Sequence, residues 1–326
     1  MLKRATEVAL FFYTVFIKYI IGAYTMNIVW IHGMNQQHKT ARTLLQHWLI
    51  ILKQALEQCG EADYFLYIQR HSRLAFYGDL LTRQHLENTL NASTLIPQHW
   101  SPFSFLHPIH LTHTATLNIE HQTEISQNPQ LTISDELSFN HKIKYISLLS
   151  KDIAFRDLGS LMNHFPKLHS SFIHRFLIEA YLYLSNPHFI HTVHTRLHEQ
   201  LHGTKPKIVI AHSLGSVIAY NYLIQHPELH IQAFISLASP LAFRVIQCHL
   251  QQPIQRPVAL YGDWINFYSD IDFLSAFPLY QKPFAFNPAI INQQITTDLA
   301  HPHLIEGYLQ HPEFINSLTD LLKKST

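Results

Sequence analysis

Short apolar runs alternate with amphipathic stretches along most of this chain. The runs at 27–31 and 207–211 have the length and continuous hydrophobicity of buried parallel strands. Apolar positions recur with helical spacing at 40–58 and 214–225. Further strands are predicted at 64–68, 233–238, 264–268 and 290–296, and a closing helix is predicted at 315–322. This alternation predicts an α/β fold, with a mostly parallel sheet and helices on both faces.

A long stretch in the middle of the chain departs from this alternating pattern, and the stretch after it resumes the pattern. Residues 86–150 are rich in Thr, Asn, Gln, His and Pro and have weak periodicity. We interpret them as an insertion over the sheet, either a lid or a surface excursion. Residues 153–202 return to helical periodicity in two or three helices. The expected organisation is one domain over 26–326 with an insertion at about 86–150.

The N-terminal segment, residues 1–25, is a candidate leader or anchor. Lys3 and Arg4 precede an apolar run that Lys18 interrupts. A spanning helix needs about 20 apolar residues, so this run is marginal. A start at Met26, directly before the first strand, is an alternative. The first expectation is a cytoplasmic protein, and membrane association through residues 8–24 is the alternative.

Composition changes this picture by removing several classes of function. Charged residues make up 14% of the chain and the net charge is +1, with no basic stripe, so nucleic acid is not an expected partner. Two cysteines give neither a disulfide framework nor a zinc-binding pair. Five histidines share a predicted helix, but no carboxylate or cysteine completes a metal site, so a solvated face is the better interpretation: His188, His191, His194, His198 and His202. No metal or cofactor is expected.

The strongest chemical signal is a strand, a tight turn and a helix centred on Ser213. In a nucleophile elbow the serine has a strained backbone, so the residues two before and two after it must be small. Here they are Ala211 and Gly215. The turn would present the Ser213 hydroxyl at the N-terminus of the following helix.

This segment resembles the elbow of the α/β-hydrolase superfamily, in bacterial lipase- and esterase-like members. Ala211 departs from the usual G-x-S-x-G pattern but is still small. Residues 28–34, ending in His32-Gly33-Met34, resemble the first strand and oxyanion loop of that fold. The resemblance covers about 27–85 and 153–322, and it implies oxyanion donors at the amides of Leu214 and Met34.

The resemblance also implies an acid and then a histidine after the nucleophile. Asp272 matches the position of the acid, before an apolar pair, and Asp270 is the competitor. For the base, His301 is favoured over His303, because Pro302 is expected to open a helix and the spacing to Glu306 fits when it is counted from His301.

These residues predict a serine esterase that acts through a Ser213–His301–Asp272 triad and an acyl-enzyme intermediate. The expected substrate is a small ester or a lipid-like molecule. An acyltransferase or thioesterase with the same triad is one alternative, and a non-catalytic binding or scaffold protein with this fold is another.

Overall fold

The computed structural model of the protein describes residues 26–82, 86 and 170–324. The leader or anchor predicted for residues 1–25 lies outside these residues, as does the predicted insertion at 86–150 apart from residue 86. Within the described part of the chain, no helix is both long and apolar enough to cross a membrane.

The described residues form a six-stranded sheet in which every pair of neighbouring strands is parallel. The strands are β1 (Asn27–Ile31), β2 (Ser72–Ala75), β3 (Lys207–His212), β4 (Ile231–Leu237), β5 (Leu260–Tyr268) and β6 (Ile291–Gln294). Their spatial order is β2-β1-β3-β4-β5-β6. The predicted α/β fold with a parallel sheet is confirmed.

Helices cover both faces of this sheet. They are α1 (Ala41–Gln58), α2 (Phe65–His71), α3 (Ser170–Ser185), α4 (Pro187–Leu201), α5 (Leu214–Gln225), α6 (Arg244–Gln247), α7 (Ile305–Leu309) and α8 (Pro312–Lys323), with 3-10 turns at Ala62–Tyr64, Gly78–Leu81 and Pro240–Ala242. Successive strand residues face opposite sides. Accordingly, Ile28 and Trp30 of β1 pack with α1 and α8, whereas Val29 and Ile31 pack with α3, α4 and α5.

One strand prediction is wrong. Residues 64–68 belong to a 3-10 turn and to α2, and the strand that pairs with β1 is β2. A short apolar run does not distinguish a strand from a helix by itself. Here Ile68 is buried but Leu66 is 60% exposed, so only one side of this run reaches the core.

The strand order fixes where a site can form. The chain leaves β1 toward β2 on one side and returns to β3 on the other side, so the connections diverge between β1 and β3. In open α/β sheets a crevice forms at this switch point, outside the carboxyl ends of the strands. The segments that follow β1 and β3 there begin at His32 and Ser213.

Candidate active site

Ser213 lies in a strained turn between β3 and α5. Its backbone has φ 54° and ψ −129°, a region that residues with side chains rarely adopt. The crossing of α5 over β1 is close: a Cβ added at Gly215 would lie 2.7 Å from the carbonyl oxygen of Ile31 and against that of His32. The glycine is therefore required for the turn, as the sequence predicted, and Ala211 is fully buried beside it.

The loop after β1 lies directly against this turn. A Cβ added at Gly33 would be 2.7 Å from the Cβ of Ser213. Met34 follows and is 6% exposed. Within the described ranges, the backbone N–H groups of Met34 and Leu214 donate no hydrogen bond to the protein. Both amides predicted as oxyanion donors therefore keep their hydrogen-bonding capacity.

His32 holds the loop after β1 in place through both ring nitrogens. The backbone N–H of Tyr77 donates to His32 Nε2 at 3.0 Å, so Nδ1 has the proton and donates to the carbonyl oxygen of Gly33 at 2.6 Å. Complete burial lowers the pKa of His32 to about 4, although the bond to Gly33 opposes this, so the ring is neutral at physiological pH.

Two further side chains anchor the same loop. The hydroxyl of Tyr77 donates to the carbonyl oxygen of His32 at 2.7 Å. From α3, the buried carboxylate of Glu179 accepts from the backbone N–H of Asn35 at 3.0 and 3.2 Å. Asn35 has φ 63°, so this bond supports a backbone conformation that is costly without a partner.

A histidine and a carboxylate complete the arrangement at Ser213. His303 Nε2 is 2.8 Å from Ser213 Oγ, and His303 Nδ1 is 2.9 Å from both carboxylate oxygens of Asp272. Because a carboxylate only accepts, Nδ1 donates to it and Nε2 accepts from the serine hydroxyl. Ser213 and Asp272 are fully buried, and His303 is 8% exposed.

The sequence prediction that His301 faces Ser213 is wrong. His301 is exposed, and His303 occupies the position between Ser213 and Asp272. The expectation failed because Pro302 does not open the helix: α7 begins at Ile305, so His303 lies in the turn before it, with Nε2 directed at Ser213.

The structure separates the two candidate acids clearly. Asp270 is exposed, whereas Asp272 is buried and contacts His303. Asp272 Oδ1 also accepts from the backbone N–H of Leu274 at 3.1 Å. Of the residues predicted for the site, the structure therefore brings together Ser213 and Asp272, with His303 in place of His301.

His212, the residue before the serine, has a structural role that the sequence did not indicate. Its Nε2 donates to the carbonyl oxygen of His303 at 3.0 Å. Burial lowers the pKa of His212 well below its ordinary value, and the neighbouring His303 lowers it further, so His212 is neutral. This bond connects the turn that contains His303 to the turn that contains Ser213.

Three other supporting residues escaped the sequence analysis: Glu179, Ser275 and Tyr308. Ser275 and Tyr308 both contact Asp272 Oδ2. Glu179 and Tyr308 lie on helices that come from other parts of the chain than Asp272, and a single sequence gives no signal for such contacts. A weak signal existed for Ser275, which follows Asp272 by three residues on the same turn.

The histidine-rich helix α4 is partly a packing surface. His194 is buried, and the hydroxyl of Tyr183 is 2.9 Å from its Nε2, which departs from the predicted solvated face. Burial is the main cause that lowers the pKa of His194 to about 4. The other four histidines of this set are exposed. In the described part of the chain, no group of three or more potential ligands could hold a metal ion.

Comparison of the whole chain with protein-family models, with curated proteins and with solved structures finds no match.

Proposed function

We propose that this protein is a serine hydrolase of the α/β-hydrolase type that cleaves carboxylic esters through an acyl-enzyme. One observation carries the proposal: Ser213 Oγ, in a strained turn, lies 2.8 Å from the Nε2 of a histidine whose Nδ1 is 2.9 Å from a buried carboxylate. A nucleophile, a base and a residue that orients the base are the parts that acyl transfer requires.

In the proposed first step, Ser213 Oγ attacks the acyl carbon while its proton passes to His303 Nε2. Asp272 holds the imidazole in the Nδ1–H tautomer and stabilises the charge that it gains. The tetrahedral intermediate collapses, the ester C–O bond breaks, and the leaving alkoxide takes the proton from Nε2. Water then attacks the acyl-serine with His303 as base, releasing the acid and restoring Ser213.

The developing oxyanion needs preorganised donors. In the proposed mechanism these are the backbone N–H groups of Leu214 and Met34, on the two segments that meet at Ser213. The bonds from Tyr77 and to Glu179 support this assignment, because they fix the loop that contains Met34 before substrate arrives. The reaction uses protein groups and water alone, so the proposal includes no metal or cofactor.

A small ester or a lipid-like molecule remains the proposed substrate class. A lid formed by residues 86–150 and membrane association through residues 8–24 also remain proposals. Thioester hydrolysis and acyl transfer would use the same side chains, since the acyl group and the acceptor are selected by the walls of the site.

The test is hydrolysis of short p-nitrophenyl esters by wild type, Ser213→Ala and the control Ser236→Ala. Loss of a triad nucleophile lowers kcat by about 10⁴-fold or more. Ser236 is a buried serine in β4 that bonds with Asn266 and Trp264 and has no bond to the triad, so its removal should leave most of the rate. A folded Ser213→Ala variant that keeps activity within about tenfold of wild type would contradict the proposal.

A further inference from the structure

Two buried hydroxyl groups contact the same oxygen of Asp272. The hydroxyl of Tyr308 donates to Asp272 Oδ2 at 2.6 Å, and Ser275 Oγ lies 3.1 Å from that oxygen. The two hydroxyls are 2.9 Å from each other. All three side chains are almost completely buried, so these oxygens form a closed triangle without access to bulk water.

The number of available protons determines which of the three contacts is a well-defined hydrogen bond. The triangle has three oxygen–oxygen contacts but only two hydroxyl protons, because an ionised carboxylate supplies none. The 2.6 Å contact has the length of a hydroxyl bond to a charged acceptor, so it takes the Tyr308 proton. The Ser275 proton is left to be shared between Asp272 and Tyr308.

The hydroxyl of Tyr308 is a hydrogen-bond donor throughout the physiological pH range. Burial raises the pKa of its phenol well above the ordinary value, and the nearby charge of Asp272 raises it further. The phenol therefore stays protonated, and its one proton is directed at Asp272 Oδ2.

Tyr308 also lies on the segment that supplies the histidine. It is in α7, which begins two residues after His303, and it reaches an acid on the loop after β5. The bond from Tyr308 therefore fixes α7 relative to Asp272, in addition to the direct contact through His303 Nδ1. The Leu274 N–H on Oδ1 and Tyr308 on Oδ2 together prevent rotation of the carboxylate.

We propose that Tyr308 is a positioning residue of the active site, which acts through Asp272 to set the orientation of His303 toward Ser213. The inference rests on the proposed hydrolase function. Tyr308 touches neither Ser213 Oγ nor the reacting atoms, so it acts through the carboxylate alone. The competing view is that its hydroxyl is a buried polar group that contributes to folding only.

The variant Tyr308→Phe removes the hydroxyl and keeps the ring. Without this donor, the carboxylate charge interacts more strongly with the His303 ring, and the carboxylate plane is free to rotate. We expect kcat for ester hydrolysis to fall by about tenfold, the value of one charge-assisted hydrogen bond, with KM unchanged within about twofold. The acid limb of the pH–rate profile should move to higher pH, because the imidazolium is better stabilised.

The matched control is Tyr67→Phe. It also loses one phenol hydroxyl with two hydrogen bonds, to the N–H and the carbonyl oxygen of Met26 at 2.8 and 3.1 Å. These bonds lie at the start of β1, the end of the strand opposite His32. A folding role alone would give both variants similar activity. Should Tyr308→Phe fail to fold, Ser275→Ala replaces it, with a change in the same direction but smaller.

A spectroscopic measurement keeps this test separate from the proposed function. The proton between His303 Nδ1 and Asp272 should give a downfield ¹H NMR resonance without any substrate. We expect it to move in Tyr308→Phe and to stay in place in Tyr67→Phe. An unchanged resonance and pH profile in Tyr308→Phe would overturn the positioning role, whereas a wild type that hydrolyses no ester would overturn the proposed function.

Discussion

Because His32 is buried and neutral, the free energy of unfolding of this protein should decrease at acid pH. Substitution of His32 should remove this pH dependence. The pKa of His32 is lowered from 6.5 to about 4 in the folded protein, mainly because the ring is completely buried. As pH falls below 6.5, the unfolded chain takes up a proton at this position and the folded protein does not. The free energy of unfolding must therefore fall as pH decreases through this window.

The size of the effect follows from the two pKa values. Each pH unit between them is worth about 1.4 kcal/mol, so His32 alone removes about 3 kcal/mol of stability by about pH 4, and little more below it. This is a large part of the total stability of an ordinary domain, about 5–15 kcal/mol.

The variant His32→Gln separates this contribution from the others. The glutamine oxygen can accept from the Tyr77 N–H as Nε2 does, but the amide does not titrate. Loss of the donor to Gly33 lowers stability equally at every pH. The measurement is urea unfolding of both proteins at several pH values between about 7 and about 4. Buried His194, whose pKa is also lowered, is present in both proteins and its contribution cancels in the difference.

We expect the two stability curves to converge as pH falls, because only the wild type loses the His32 contribution. Parallel curves over this range would refute the reasoning, since they would mean that His32 takes up its proton equally in the folded and unfolded states.

Two further substitutions test the site directly. His303→Ala should lose most of the esterase rate, by about 10³-fold or more, whereas His301→Ala should stay within about tenfold of wild type, as measured by initial rates on p-nitrophenyl esters; equal losses would contradict the assigned base. Gly215→Ala should lower stability by about 1–3 kcal/mol in urea unfolding, because its Cβ meets backbone atoms of β1, and should also lower activity. Unchanged stability would mean that α5 can move away from β1 without cost.

Local sequence patterns correctly predicted the strand and the helix that position Ser213 and the loop opposite it. The strand at 27–31 and the helix at 214–225 have the predicted ends, because a continuous apolar run next to a tight turn leaves few alternatives. Ala211 and Gly215 signalled the elbow because the small size of both residues is a local requirement of the turn, visible in the sequence without any partner.

The histidine could not be assigned from local pattern because the two candidates are only two residues apart. Proline is common as the first residue of a helix, and this preference led to a predicted helix start at Pro302, which is too early. The structure has α7 begin at Ile305, so the turn that precedes it includes His303. The bond from His212 to the backbone of His303 connects residues 91 positions apart, and no local signal reports it.

Covalent labelling reports directly whether Ser213 is an activated nucleophile. Wild type, His303→Ala and Ser213→Ala are treated with a fluorophosphonate probe, which reacts with activated serines, and the labelled peptide is identified by mass spectrometry. We expect a single modification of the wild type, on Ser213, slow labelling of His303→Ala, and no labelling of Ser213→Ala. Absence of labelling in the folded wild type, or a label on a different serine, would contradict the assignment of Ser213 as the nucleophile.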